Sequence, residues 1–333
     1  MRSVEKYYSR VGMAGLSRHQ IGLVLPPAVL CVVLLFVGGP GPDALRSVRF
    51  AWLAGHLVCF ALWSYLYLAW RGHLAVWRQW FEVTLFCLVV GGAVELLQGQ
   101  TGREPSWQDL YHDLLGGWLV LVFYGQHHRR WSLFRGLLIQ FPVVVLTALA
   151  LLPLARAVVD DLIAYRQFPL LSGFETPFEH TRWIGKSTRQ IASTIAHTGE
   201  GALQVTLSAG RYPGVFLQYF PADWRSYAAL SLRVYHPGSD ELELHLRIHD
   251  QAHRLSGNAH GDRYNRSVTL QPGWNHLVTP LTAVADAPRD RSFDLQRVAG
   301  VGLFAVYLDE PQVIYLDEVR LLANEGAGEG LSD

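Results

Sequence analysis

The sequence predicts a multi-span α-helical membrane domain of five transmembrane helices followed by an all-β sandwich. Five apolar runs, at about 21–38, 50–70, 80–97, 110–124 and 137–159, crowd into the first half of the 333 residues. A helix that crosses a bilayer needs about 20 such residues. Short runs of alternating apolar and polar residues, separated by Pro- and Gly-containing turns, fill the second half. Charge divides at the same place: residues 1–160 hold 13 basic and 8 acidic side chains, and residues 161–333 hold 15 and 20. The net charge of zero lacks the basic excess expected of a nucleic-acid binder.

The first apolar run follows Arg2, Lys6, Arg10 and Arg18. No small-residue cleavage site is evident after it and four more runs follow, so it reads as a retained helix rather than a signal peptide. Cys31, Cys59 and Cys87 each sit within an apolar run. They are too far apart for a CxxC motif and read as small buried hydrophobes. Arg71 and Arg78 lie between the second and third runs, and Arg129, Arg130 and Arg135 between the fourth and fifth. With the N-terminal group they place nine basic residues on one side. Arg46, Arg49, Arg103 and Arg156 make four on the other. The positive-inside rule then puts the N-terminus in the cytoplasm and, after five crossings, the C-terminal half outside a bacterial inner membrane. The fourth run is short and has Asp109 and Asp113 at its entrance. Without it, the C-terminal half would be cytoplasmic.

Polar residues converge near the outer ends of these runs. Glu95 and Gln98 are three positions apart and share a helix face. Ser106 and Asp109 have the spacing of a capping box, with Asp in place of Glu, that starts a helix at about Trp107. Asp113 follows one turn later, and Gly116 and Gly117 permit close helix approach. His56 lies in the outer half of the second run. His56, Glu95, Gln98, Arg103, Ser106, Asp109 and Asp113 are thus candidates for a polar pocket at the outer leaflet. Such a pocket suits a lipid head group, proton transfer or a cation, because ionisable groups at membrane depth face a protein interior or an aqueous cavity. The same residues also suit a hydrogen-bonded clamp on the turn between the third and fourth runs.

The string Glu95-x-x-Gln98, Arg103, Ser106, Asp109, Asp113, Gly116, with His56 in an earlier run, resembles the signature of the VanZ-like membrane family over about residues 20–125. This chain has Asp113 where that family usually has Asn, an added carboxylate. The resemblance implies a multi-span membrane protein and no cofactor.

Strands are expected at about 204–207, 215–219, 228–235, 242–248, 265–270, 274–280, 300–307 and 313–321. Leu242 to Ile248 alternates strictly, as a strand with one buried face does. Asp250, His253, Asp262 and Tyr264 fall in one polar stretch. Tyr212, Trp224 and Tyr264 are candidate aromatic platforms for the apolar face of a sugar ring. The half as a whole resembles the jelly-roll domains of carbohydrate-binding modules and galactose-binding-like modules. Gly173-Phe174-Glu175 resembles their first strand and Tyr315 to Val319 their last. That resemblance implies a structural calcium held by Glu175 and Asp317.

No nucleophile elbow, zinc motif, phosphate loop or dinucleotide fingerprint is present, so no catalytic residue is assigned. The expected organisation is a membrane domain over 1–160, a linker over 161–171, an extracytoplasmic sandwich over 172–323 and a disordered tail over 324–333. The expected function is a membrane-anchored envelope protein whose sandwich binds a glycan or glycolipid. The alternatives are an enzyme acting on a lipid-linked envelope substrate at the polar pocket, and a structural protein docking to an envelope partner.

Overall fold

The computed structural model describes residues 18–37, 39–41, 43–71, 73–100, 106–124 and 132–323. Arg103 and the tail 324–333 lie outside the described residues. The chain divides into two units, Met1–Ala157 and Val158–Asp333.

The first unit is helical: α1 (Arg18–Phe36), α2 (Arg46–Arg71), α3 (Val76–Gln100), α4 (Trp107–Tyr124) and the start of α5 (Leu133–Gln167). Each helix covers one of the five apolar runs. Among the described residues, α2, α3 and α5 are long and apolar enough to cross a membrane, while α1 offers the shorter stretch Gly22–Phe36. Helix α4 has 18 residues, of which Asp109 and Asp113 are acidic.

Packing follows membrane rules. Leu23, Val29, Val33, Phe81, Val89, Leu96 and Phe141 are exposed, while Phe60, Val83, Cys87 and Leu115 are fully enclosed. Close approach rests on small residues. A Cβ on Gly116 would stand 2.3 Å from the Leu57 carbonyl oxygen, so α4 lies backbone to backbone against α2. All three cysteines are buried free thiols. At the α2–α3 turn, Trp70 and Trp77 are exposed. The Arg71 and Arg78 guanidinium groups lie 5.3 and 5.2 Å from their ring centres. Exposed Trp beside Arg is the composition of a membrane–water boundary.

The second unit holds two antiparallel sheets in a jelly-roll-like arrangement. Its strands are β1 (Leu170–Ser172), β2 (Trp183–Ile184), β3 (Thr188–Ala192), β4 (Ala202–Leu207), β5 (Gly214–Leu217), β6 (Tyr227–His236), β7 (Leu242–Asp250), β8 (Tyr264–Leu270), β9 (Gly273–Pro280), β10 (Val298–Phe304) and β11 (Gln312–Ala323). One sheet runs β3-β4-β11-β6-β9, with β1 beside β11; the other runs β2-β5-β10-β7-β8. The inward positions of both sheets make one core, including Leu203, Val205, Leu217, Leu232, Leu244, Leu246, Val301 and Leu316. The eight expected strands are all present.

Three differences from the expectation stand out around the junction. Residues 161–167 continue helix α5 instead of forming a linker, and β1 begins at Leu170. Gly173-Phe174-Glu175 follows β1 instead of forming the first strand. The cause is a buried charge pair within the second unit. Arg182 Nη2 donates to Asp160 Oδ1 at 2.8 Å and Nε donates to the same oxygen at 3.0 Å. Arg182 Nη1 also donates to the Leu171 carbonyl at 2.8 Å. Arg182 is 0% and Asp160 1% exposed. This pair holds the last turns of α5 against β1 and the 3₁₀ turn Glu179–Arg182. The Glu179 carboxylate then receives the Gly173 and Phe174 N–H groups at 2.8 and 2.9 Å, turning the chain out of β1.

Candidate functional site

Two side-chain constellations stand apart from ordinary packing, one in each unit. In the first unit, α2 contributes His56, α3 contributes Glu95 and α4 contributes Asp109 and Asp113. His56 and Leu57 sit one turn before Phe60 on the buried face of α2. Asp109, His112, Asp113, Gly116 and Gly117 recur at three- and four-residue spacing on the buried face of α4. The contact made possible by Gly116 brings these faces together.

His56 Nδ1 lies 3.0 Å from Asp113 Oδ1, and His56 Nε2 lies 3.8 Å from Asp109 Oδ2. One ligand atom each from His56, Glu95 and Asp109 lies within 4.8 Å of the others, an arrangement able to chelate a metal ion. A Cβ on Gly91 of α3 would stand 2.3 Å from Asp113 Oδ2, so that glycine makes the room the carboxylate occupies.

Helix α4 starts at Trp107 as expected, but the capping box is not closed as the spacing suggested. The Ser106 hydroxyl accepts the Gln108 N–H at 3.2 Å. The Ser106 N–H goes to Glu95 Oε2 at 2.7 Å, rather than to Asp109. Glu95 thus supplies the reciprocal bond from a neighbouring helix, which leaves Asp109 turned toward His56. Gln98 is buried but reaches elsewhere, its Nε2 donating to the Leu35 carbonyl at 2.7 Å. Beside the cluster, a cleft of about 210 Å³ is lined by Phe50, Leu53, Gln108, Tyr111, His112 and residues of α5.

In the second unit, the outward face of the β2-β5-β10-β7-β8 sheet carries a strip of aromatic and basic side chains. Alternation sends Phe216 of β5, Gly300, Gly302 and Phe304 of β10, and His245, Arg247 and His249 of β7 to this face. The register places them in rows: Phe216 opposite Gly302 and Gly302 opposite Arg247, then Gly214 opposite Phe304 and Phe304 opposite His245.

The glycines let the rings lean over the sheet. A Cβ on Gly302 would stand 2.3 Å from the Phe216 ring, and one on Gly300 would stand 2.5 Å from the His249 ring. Phe304 is nearly parallel to Phe216 at 6.1 Å and 26°, and to His245 at 5.5 Å and 25°. The Arg247 guanidinium lies 5.8 Å from the Phe216 ring centre. At one end of the strip stand Tyr212 and Tyr307, 48% and 63% exposed. Arg211 lies 5.0 and 5.3 Å from their ring centres. Both tyrosines have positive φ, 61° and 57°, a strained setting for a bulky residue that marks functional loops more often than ordinary ones. Burial and the nearby Arg247 push His249 down to about 3, so it lines the strip as a neutral imidazole. Burial also lowers Arg247, to about 10, where it remains a cation at neutral pH.

The residues expected from sequence to meet a sugar divide. Tyr212 belongs to this strip. Trp224 is 0% exposed, its Nε1 donating to the Pro221 carbonyl at 3.1 Å, and Tyr264 is 8% exposed within the core. Neither presents a ring face to solvent. Asp250, His253 and Asp262 bind one another's loops. Asp250 caps helix α6 (Gln251–Leu255) by accepting the His253 N–H at 3.0 Å. Arg291 forks between Asp250 and Asp262, with Nη2 to Asp250 Oδ1 at 2.7 Å and Nε to Asp262 Oδ1 at 2.6 Å.

Glu175 and Asp317, the pair implied as calcium ligands, receive N–H donors from a single loop. Asp317 Oδ2 accepts from His197 and Thr198 at 2.7 and 3.0 Å, and Glu175 Oε1 accepts from Glu200 and Gly201 at 3.0 and 3.2 Å. Gly199, at φ 67°, makes that loop's turn against the Glu175 carboxylate. These donors present positive ends of dipoles to the oxygens, the environment of an anion-holding loop.

The strip residues Phe216, His245, Arg247, Phe304 and Tyr307 escaped the sequence reading. The Leu242–Ile248 alternation identified His245 and Arg247 as outward-facing, but not as neighbours of Phe304.

No family model matches the chain, and no curated protein matches it. Among solved structures, the chain is similar to a family 11 carbohydrate-binding module from Clostridium thermocellum in complex with a β-1,3-1,4-mixed-linked tetrasaccharide. The identity is 16% and the TM-score 0.37, over 46% of this chain and 94% of that one. It is also similar to an exo-β-agarase, at 17% identity and a TM-score of 0.36, over 46% of this chain and 25% of that one.

Proposed function

We propose that this chain is a membrane-anchored envelope protein whose sandwich binds a glycan along the outward face of the β2-β5-β10-β7-β8 sheet. The observation that carries this reading is the line Phe216–Phe304–His245, laid over glycines and flanked by Arg247, Tyr212 and Tyr307. A sugar ring offers axial C–H groups to an aromatic face and hydroxyls to polar neighbours, and this strip supplies both. Asn265 and Ser267 face the same side, opposite Arg247 and His245. In this reading all five helices span, the N-terminus is cytoplasmic and the sandwich is outside. The membrane unit belongs with the VanZ-like proteins whose residue spacing it resembles. Support for that orientation comes from the excess of basic residues on the N-terminal side.

The test is binding of the full chain, in nanodiscs, to an immobilised panel of envelope polysaccharides, peptidoglycan fragments and β-glucans. At least one glycan is expected to be retained. Phe216→Ala should weaken it about tenfold, the ratio that about 1.4 kcal/mol of ring contact represents. Gly302→Ala keeps every ring but pushes Phe216 off its seat, and should weaken binding comparably. Retention of no glycan, or binding by both variants as tight as that of the unaltered protein, overturns the reading.

A further inference from the structure

We propose that His56, Glu95 and Asp109 form a binding site for a divalent ion of the zinc class inside the helical unit. Asp113 acts there as the residue that orients the histidine.

The geometry suits a metal centre. The His56–Asp113 bond engages Nδ1 at 3.0 Å. With Nδ1 carrying its proton toward a carboxylate, Nε2 is left as a lone-pair donor, the arrangement by which carboxylates fix metal-bound imidazoles. That Nε2 faces Asp109 Oδ2 at 3.8 Å, beyond hydrogen-bond length. Two ligands of one tetrahedral zinc ion, each about 2.0–2.2 Å from it, stand roughly 3.3–3.5 Å apart. The His56–Asp109 pair is within a few tenths of an ångström of that spacing, and the Glu95 oxygen, within 4.8 Å of both, would draw in to complete the set.

A second observation points to a ligand. Asp109 Oδ1 and Asp113 Oδ2 are buried with no hydrogen-bond partner among the described residues. The two residues are 4% and 0% exposed. Unpaired carboxylate oxygens in a buried setting are strongly unfavourable, and a divalent cation neutralises them. The donor set selects the ion. One imidazole nitrogen with carboxylate oxygens suits zinc and its neighbours, whereas calcium and magnesium prefer all-oxygen shells. Three protein ligands leave a fourth position, as in zinc sites that take a water or a substrate oxygen.

The test uses the full chain, purified in detergent without a histidine tag and stripped with EDTA. It is then equilibrated with Zn²⁺ in the presence of excess Mg²⁺ and Ca²⁺. One zinc per chain and a raised melting temperature are expected. His56→Gln and Asp109→Asn should lose stoichiometric binding. Asp113→Asn should retain one ion per chain at saturation but bind it about 10–100-fold more weakly, as expected of a group that positions a ligand. Should the His56 or Asp109 variants fail to accumulate, zinc-edge X-ray absorption of the unaltered protein decides. One imidazole among oxygen ligands supports the site; a shell of any other composition overturns it. Sub-stoichiometric zinc, or zinc unaffected by the substitutions, also overturns it and leaves the cluster as carboxylates sharing protons.

Discussion

Replacing Arg182 with methionine is expected to destabilise the sandwich unit by about 3–5 kcal/mol, the range for removing one partner of a buried ion pair. Both partners are enclosed, and Arg182 bonds the Asp160 carboxylate through two nitrogens and the Leu171 carbonyl through a third. Methionine fills much of the volume but removes the guanidinium that bonds the buried Asp160 carboxylate and the Leu171 carbonyl. For a unit of this size that loss lowers the melting temperature by roughly 2–4 °C per kcal/mol. Trp183 follows Arg182 directly, is buried, and donates to Ser172 Oγ at 3.0 Å, so the core is anchored beside the pair; calorimetry of the full chain reads the transition. The double variant Arg182→Met, Asp160→Leu should recover most of the loss, since apolar replacement of a whole buried pair is often neutral. If the single variant melts with the unaltered protein, the pair does not hold the junction.

That junction also shows where sequence reading stopped. The strands with clear alternation, such as Leu242–Asp250, were legible because one buried face imposes a period of two. β1, β2 and β3 were not. β2 has two residues, and β3 reads Thr-Arg-Gln-Ile-Ala at the edge of its sheet, where only one side needs pairing. The last turns of α5 were missed because Asp160, Asp161 and Arg166 look like a solvated exit from an apolar helix. Asp160 is in fact neutralised by a residue 22 positions later.

The two constellations were legible to different degrees for a similar reason. His56, Glu95, Asp109 and Asp113 could be grouped from sequence because helical spacing fixes which residues share a face and apolar runs fix their depth. The aromatic strip depends on which strands are neighbours. Phe216 sits between Val215 and Leu217, and Phe304 between Leu303 and Ala305, so each reads as part of an apolar run. Only the pairing of β10 with β5 and β7 puts both rings on one outward face and gives Gly300 and Gly302 their purpose.

Arg291→Gln is expected to produce a loss of stability that depends on pH. Burial works to raise Asp250, but the Arg291 guanidinium and the Asp294 and His253 N–H groups outweigh it and hold the carboxyl below its usual value. Arg291 is also the main cause holding Asp262 down. A carboxylate with a depressed folded pKa stabilises the fold above its unfolded value of about 3.9, and that contribution is lost as pH falls through the folded value. In the variant, Asp250 remains fully enclosed without its cation, so burial dominates and its charged form becomes unfavourable. The sign then reverses for that group: the penalty is greatest at neutral pH and relaxes as the carboxyl takes up a proton. The loss at pH 7.5 should be about 3 kcal/mol, and thermal melts at pH 4.5 should show a clearly smaller gap from the unaltered protein. The loop carrying His253 and Asp262 would loosen with it, because Arg291 bonds both Asp262 and Asp250. An equal gap at both pH values would mean that Asp250 stays ionised without Arg291, its charge carried by the His253 and Asp294 N–H donors alone.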